Sequence, residues 1–178
     1  MNEETEPREA PAGRGLVKLV APLAVLCALL ALLAVPLLMW QRGVRREKEL
    51  KSAGAAAALR LAGRGAALVK EYRDWKAGNP GKAWKPVRLE LSEYVAGAEV
   101  EAVDALVLYG GTLVAGAAEQ PQSLKGRPEE SGAEGVEVIR GHYTRGKRSI
   151  PCLQFKVPLE VPGTATKGTA RLIVRLPE

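Results

Sequence analysis

The stretch "DALVLYGGTLVAG", residues 104–116, places two apolar runs on either side of the pair Gly110-Gly111. Glycine adopts the positive φ angles that a two-residue hairpin turn requires. The spacing therefore predicts two antiparallel strands, at 103–109 and 112–115, joined by a tight turn. This hairpin opens a predicted β domain in the second half of the chain.

Three further strands are predicted after the hairpin. Residues 136–145, "VEVIRGHYTR", follow a polar loop rich in Pro and Gly at 119–135. Residues 150–161 and 169–176 alternate between apolar and polar side chains, which gives each strand one apolar face. The predicted fold class is therefore α+β, with a five-stranded antiparallel sheet that packs helices on one side.

An uncharged apolar run, "LVAPLAVLCALLALLAVPLLMW", covers residues 19–40. At about 1.5 Å per residue such a helix spans roughly 30 Å, the thickness of a bilayer core. The run predicts a single transmembrane helix in contact with membrane lipid, preceded by a short tail at 1–18. A cleaved signal peptide fits less well, because the run is long and no A-x-A motif precedes the basic stretch. A lipoprotein signal fits poorly because Leu26, rather than a small residue, precedes Cys27.

The net charge of +6 comes from basic residues after the apolar run. Much of it lies in "RGVRREKELK", residues 42–51, beside the predicted membrane surface. Without interleaved aromatic residues or a nucleic-acid motif, this segment favours contact with anionic lipid over nucleic acid. The count of flanking cations would by itself place the large domain in the cytoplasm. That rule weakens for a long translocated segment, so the orientation is open on charge alone.

Residues 41–78 are predicted to form a juxtamembrane or stalk helix, because the alanine block has high helix propensity. The helix ends at "AGNPG", where Pro80 cannot continue it. A stripe of small and apolar residues follows one face. Two interpretations are open: the stripe packs on the protein's own sheet, or it pairs with a partner helix or in a homodimer. The residues of that helix–helix contact would be Ala58, Leu61, Gly65 and Leu68.

The sequence shows no converging set of catalytic side chains. His142 is the single histidine, which makes it a weak catalytic candidate. Asp104 and Glu101 could form a carboxylate pair, although acidic residues at a strand start are usually solvated. No phosphate loop, zinc pattern or haem-attachment motif is present, and Cys27 and Cys152 build no disulfide framework. We therefore predict a protein that is not an enzyme and that has no cofactor or metal.

The element order resembles the single Cache or PAS-like sensor domains of bacterial membrane receptors. The residues that carry this resemblance are the hairpin "VDALVLYGGTLVAG" and the ending "CLQFKVPLEVPGTATKGTARLIVRLPE". It covers roughly residues 44–178, but the hairpin lacks the usual Asp-x-x-Gly, and no second membrane helix or signalling module follows. The resemblance implies a PAS/Cache-like β domain at 79–178, packed with the end of the stalk helix. It also implies an inner-membrane protein whose C-terminal domain is periplasmic.

In the resembling domains, ligands lie against the concave sheet face beneath the connector. The residues nominated here combine aromatic rings with cations, which suits a small carboxylate. They are Trp84, Tyr94, Tyr109, Arg140, His142, Tyr143 and Arg145. For Tyr109, as for Phe155, the alternative is a structural place in a core poor in aromatic residues.

Two functions are open on these observations. The first is a membrane-anchored sensory input module that binds a small ligand or partner and signals through its helix. The second is a non-sensing, single-pass accessory or assembly subunit of a membrane protein complex. The β-domain pattern favours the first function, and the missing signalling module favours the second.

Overall fold

The computed structural model describes residues 14–98, 100–118, 124–145 and 148–177, with only the backbone at 14–28, 31, 33 and 145. Most of the tail predicted at 1–18 lies outside the described residues. The chain divides into two compact units, Met1–Arg46 and Glu47–Glu178.

A single long helix, α1, covers Arg14–Gly78. It ends within the predicted "AGNPG" stretch, where the side-chain amide of Asn79 donates to the carbonyl oxygen of Trp75 at 2.9 Å. Pro80 follows and has no backbone N–H to extend the helix. The predicted C-terminal end of the helix is thus confirmed.

Among the described residues after α1, the chain forms seven strands and one short helix. The short helix, α2, is Leu91–Val95. The strands are β1 Val87–Arg88, β2 Ala102–Tyr109, β3 Thr112–Gly116, β4 Lys125–Glu129, β5 Glu137–Arg145, β6 Arg148–Leu159 and β7 Gly168–Arg175.

The strands form one sheet in the order β1-β3-β2-β7-β6-β5-β4. The five strands in the middle of this order pair antiparallel with their neighbours: β3, β2, β7, β6 and β5. At one edge β4 adds another antiparallel strand, and at the other edge β1 pairs with β3 in parallel. The sheet is therefore seven-stranded and mixed, and the prediction of a five-stranded antiparallel sheet was wrong.

The two strands that were not predicted, β1 and β4, have no side-chain pattern from which a strand could be predicted. The sequence of β4, "KGRPE", contains no large apolar residue, and β1 is only two residues long. Backbone pairing makes residues 125–129 a strand, with Gly126 directly opposite Gly141 of β5. Hydrogen bonds along a sheet edge can recruit a polar segment, because an edge strand need not bury its side chains.

The hairpin that opens the β domain is present as predicted. Tyr109 pairs with Thr112 across a two-residue turn. Gly110 and Gly111 in that turn have φ angles of +55° and +78°. Two successive positive φ angles are typical of a type I′ turn, whose twist matches that of the flanking strands.

The main core lies between the C-terminal half of α1 and one face of the sheet. Leu61 and Val69 of the helix and Phe155 of β6 are fully buried there. The helix approaches the sheet closely at Gly54, where an added β-carbon would collide with the ring of Phe155. The four residues proposed for a helix–helix contact are all buried in this core: Ala58, Leu61, Gly65 and Leu68.

The transmembrane helix predicted at 19–40 is corrected by the structure. Within the described part of the chain, no helix combines the length and the apolar character needed to cross a membrane. Within the predicted segment, the side chains at 19–28, 31 and 33 lie outside the described residues.

Candidate functional site

An open cleft of about 580 Å³ lies between the end of α1, the hairpin turn and the β6–β7 turn. Hydroxyl groups and cations from these three segments meet there, and we call it the hydroxyl cleft. Its lining residues are Tyr72, Arg73, Asp74, Lys76, Ala77, Tyr109, Gly110, Thr112 and Thr166.

Hydrogen bonds tie the polar groups of the hydroxyl cleft together. The ammonium of Lys76 donates to the phenol oxygen of Tyr72, with an N–O distance of 3.2 Å. The hydroxyls of Tyr109 and Thr164 lie 2.9 Å apart. The backbone N–H of Thr166 donates to the same Thr164 oxygen at 3.0 Å. The Tyr72 hydroxyl is therefore held by a neighbour on its own helix. The Tyr109 hydroxyl is held by a residue of the β6–β7 turn.

Both phenols of the hydroxyl cleft are surrounded by groups that favour their anionic form. Hydrogen bonding to Thr112 and then to Lys76 lowers the pKa of Tyr72 below its usual range. Hydrogen bonding to Thr164 lowers the pKa of Tyr109. A group's pKa falls in this way when nearby donors and cations stabilise the charged form. The local environment therefore favours negative charge.

Aromatic rings support the wall of the hydroxyl cleft from behind. Tyr72 lies edge to face against Trp84 and Tyr109, with ring centroids 5.3 and 6.3 Å apart. Trp75 packs against Trp84 at 5.2 Å. The indole N–H of Trp84 donates to the Val114 carbonyl at 2.9 Å. These contacts fasten the end of α1 to the β2–β3 hairpin and so fix the spacing of the cleft walls.

A second pocket, of about 650 Å³, lies at the other end of β2 and β7. Val103, Tyr143 and Ile150 line it and belong to a small apolar cluster on the sheet face away from α1. Glu101 and Arg175 pair at its rim, with an N–O distance of 3.6 Å. This pocket therefore combines apolar side chains with the charged groups of Glu101, Arg148 and Arg175.

Two buried polar residues lie on the same outer face. Asp104 and Gln154 flank Ile173 on neighbouring strands, and each is only 1% exposed. Among the described residues, no group makes a well-aligned hydrogen bond to either carboxyl oxygen of Asp104. The same holds for the side-chain oxygen of Gln154. Burial raises the pKa of Asp104, although the nearby backbone N–H of Ala105 and then the charge of Arg171 oppose this shift. The carboxyl group is therefore easier to protonate than an exposed one.

A network of four charged side chains connects α1 with β4 and β5. Arg140 pairs with both Glu129 and Glu47. Lys51 lies 2.7 Å from Glu129 and 3.4 Å from Glu47. Each carboxylate therefore contacts two cations, and the pKa of Arg140 is raised chiefly by its hydrogen bond to Glu129. This arrangement is structural, since every member is held by the others.

The seven residues predicted to bind a ligand do not form one site. Trp84 and Tyr109 meet at the aromatic wall of the hydroxyl cleft. Tyr143 lies in the second pocket, at the far end of the sheet. Trp84 and Tyr109 therefore lie apart from Tyr143.

The other four predicted residues are dispersed. Tyr94 is buried in α2, where its carbonyl accepts a hydrogen bond from Arg60 at 2.7 Å. Arg140 belongs to the ion network, and His142 is exposed on β5. Arg145 ends β5, and its side chain lies outside the described set.

Sequence reasoning missed most of the hydroxyl cleft. Tyr72 and Lys76 carry a readable signal, because residues four apart lie on one helix face. Thr112 follows the Gly-Gly turn and could have been placed beside Tyr109 from the hairpin register. Thr166 reaches the cleft only through the pairing of β6 with β7, which no local pattern encodes.

Metal binding and thiol chemistry find little support in the described part of the chain. No group of three or more His, Cys, Asp or Glu side chains is placed there to hold a metal ion. Cys152 is a buried thiol whose pKa is raised by burial, which disfavours the reactive thiolate.

The unit Met1–Arg46 presents an exposed apolar surface on α1. We call residues 29–40 the apolar helix segment. Among its described side chains, eight large apolar ones are more than half exposed: Leu29, Leu30, Leu32, Val35, Leu37, Leu38, Met39 and Trp40. The exposed cations Arg42, Arg45 and Arg46 follow directly.

Comparisons with protein-family models, curated proteins and solved structures found no match. Neither these comparisons nor the structure supports a Cache-like sensor or a single-pass membrane receptor. The correction concerns the membrane-spanning helix alone. The Cache or PAS-like resemblance and the sensory function stay predictions, since these comparisons test neither. Location at the inner membrane with a periplasmic domain stays a prediction.

Proposed function

We propose that the protein is a non-enzymatic assembly subunit of a larger protein complex. The apolar helix segment, residues 29–40, is buried in that complex among helices of a partner protein. The observation that carries the proposal is the exposure of large apolar side chains along this segment. The unit Glu47–Glu178 is the folded body that the subunit contributes.

Exposed apolar surface of this extent strongly favours association. Burying one large aliphatic or aromatic side chain gains about 1.5–3 kcal/mol. Met39 and Trp40 are 68% and 66% exposed, and every side chain from residue 34 to residue 40 is exposed. The apolar surface therefore surrounds the helix instead of following one stripe. Several neighbouring helices are needed to enclose such a segment, and a single second copy would cover only one side.

The residue types at the end of the segment support a protein partner. Met39, Trp40 and Arg42 belong to the classes that are enriched at the centres of protein interfaces. Arg45 and Arg46 are exposed one turn further on. Their charge fits a partner with an acidic rim beside its apolar groove, since complementary charge guides association and fixes register.

Site-specific photo-crosslinking in the protein's own cells tests this proposal. A photoreactive amino acid replaces Leu38 in one full-length variant and Leu59 in a matched control. Leu59 is also an exposed leucine on α1, 45% exposed, but it lies outside the apolar helix segment. We expect one discrete crosslinked product from position 38, identified by mass spectrometry as a different protein with apolar helices, and none from position 59.

The basic residues provide a second arm of the same experiment. Replacing Arg45 and Arg46 by Glu in the Leu38 variant should lower the crosslinking yield several-fold, because the charge would then repel an acidic rim. Crosslinks to lipid without any protein product would contradict the proposal. Products that contain only further copies of this chain would also contradict it, since they would indicate self-association.

A further inference from the structure

We infer that the hydroxyl cleft is a binding site for an oxyanion, namely the carboxylate or phosphate group of a small molecule. The inference does not depend on the assembly function, because all the residues that line the cleft belong to the unit Glu47–Glu178. It rests on the charge, the hydrogen-bond donors and the fixed walls of the cleft.

The charged side chains of the cleft carry many hydrogen-bond donors. Lys76 uses one of its three N–H groups on the Tyr72 oxygen. Arg73 donates one N–H to the Pro162 carbonyl at 3.2 Å, and a guanidinium has five. Asp74 is the one acid of the lining. The balance of charge therefore favours an anion, with Asp74 as an opposing group.

Hydroxyl groups, which can donate hydrogen bonds without carrying a charge, line the same space on Tyr72, Tyr109 and Thr112. The Tyr72 oxygen accepts from Lys76 and is also hydrogen-bonded to the Thr112 hydroxyl. The Tyr109 and Thr164 hydroxyls share a hydrogen bond in which either can donate, and Thr164 also accepts the Thr166 N–H. A cleft with many hydrogen-bond donors and few acceptors suits an oxygen-rich anion. Hydrogen bonds to an ionised partner are stronger than those between two neutral groups.

The cleft is preformed, so binding need not order its walls. The aromatic contacts of Tyr72 with Trp84 and Tyr109 hold the end of α1 on the hairpin. The N–H of Gly110 donates to the Lys167 carbonyl at 3.2 Å and ties the hairpin turn to the β6–β7 turn. A preorganised site loses less conformational entropy when a ligand binds.

Isothermal titration calorimetry on the full-length protein tests the inference, with inorganic phosphate and acetate as probes. The titrations are run at constant ionic strength against chloride, which controls for general screening. We expect saturable binding of at least one probe. Tighter binding of phosphate would identify a phosphate site, and tighter binding of acetate a carboxylate site.

Variants of charged residues on α1 distinguish binding in the hydroxyl cleft from a general attraction of anions to a positively charged protein. Lys76→Met should weaken binding about tenfold, because a hydrogen bond to a charged group is lost. Lys70→Met removes an exposed lysine that does not line the cleft, and it should change affinity less than about twofold. Asp74→Asn should strengthen binding, since it removes the opposing charge.

Tyr109→Phe tests the same cleft from a second element and guards against misfolding of the Lys76 variant. It keeps the ring that packs on Tyr72 and removes one hydroxyl, so binding should weaken several-fold. The inference is overturned if the wild-type protein binds neither probe. It is also overturned if Lys70→Met acts as strongly as Lys76→Met, or if Asp74→Asn weakens binding.

Discussion

Asp104 is the residue whose chemistry fits its surroundings least well. It is 1% exposed on the outer face of β2, and among described residues no group makes a well-aligned hydrogen bond to either carboxyl oxygen. Burying a charged group without partners is costly. The pKa of Asp104 is accordingly raised by burial, even though the Ala105 backbone N–H and then the charge of Arg171 oppose the shift. The free energy of unfolding should therefore depend on the protonation of this one side chain.

Asp104→Asn should stabilise the protein at pH 7 by on the order of 1 kcal/mol, because the amide carries no charge to desolvate. The folded state holds its proton to higher pH than the unfolded state. The part of the free energy of unfolding that depends on protonated Asp104 is therefore fully present below the ordinary carboxyl pKa. It is lost as the pH rises through the raised pKa of the folded state. Urea unfolding at pH 7 and pH 4 measures this, and the gap between variant and wild type should shrink at pH 4.

Asp74→Asn is the matched control for this prediction. Asp74 is exposed on α1, so its variant should show little stability change at either pH. If Asp104→Asn proved less stable than wild type at pH 7, the Asp104 carboxylate would have an effective partner and the argument would be wrong.

At the scale of elements, the seating of α1 on the sheet depends on small residues in the helix. Gly54 is buried against Phe155, the largest fully buried side chain in the described part of the chain. Gly65 lies against Val107 in the same way, where an added β-carbon would come within 3.1 Å. A buried ring in a close-packed core has no free space to move into. The helix–sheet distance is therefore set by the absence of a β-carbon at these positions.

Gly54→Ala should destabilise the protein by about 1–3 kcal/mol, because overpacking at Phe155 outweighs the gain in helix propensity. Gly63→Ala on the same helix is the control, since nothing lies within 4 Å of its β-carbon position. That control should be stabilised by up to about 1 kcal/mol. Thermal unfolding of the two variants measures the difference, and a stabilised Gly54→Ala would show that the helix can move away from the sheet.

At the scale of the whole unit Glu47–Glu178, the ion network joins elements that are distant in the sequence. Arg140 of β5 contacts Glu47 of α1 and Glu129 of β4. The network therefore holds the helix against the β4 edge, where strand β4 has no large apolar side chain to do so. Arg140 is 38% exposed, so solvent weakens each pair, and the contribution comes from several charges acting together.

Arg140→Gln should lower the free energy of unfolding by about 1 kcal/mol, because two carboxylates lose their shared cation. Lys156→Gln breaks the isolated surface pair with Glu137, at 3.2 Å, and should cost less than about 0.5 kcal/mol. Urea unfolding at low and high salt measures both, and the Arg140 effect should shrink as salt screens the charges. Equal losses in the two variants would refute a network contribution.

The strands with a strong local pattern could be predicted from the sequence, and those without one could not. Alternation of apolar and polar side chains placed β6 and β7, and the Gly-Gly pair placed the hairpin, because both patterns reflect short-range geometry. The edge strands β1 and β4 were missed because they depend on pairing with a neighbour. The sheet was consequently expected to be smaller and wholly antiparallel.

The sequence by itself determined the local structure of the β domain: the hairpin, the C-terminal end of α1 and the apolar face of each alternating strand. It did not determine which side chains meet in space. The hydroxyl cleft exists only because α1 packs on the sheet and the strands pair in a particular order, which brings together Tyr72, Tyr109 and Thr166. The same packing brings together the ion network of Glu47, Glu129 and Arg140. Local propensity acts over a few residues, whereas such sites join residues that are far apart in the chain. Tertiary packing therefore decided them.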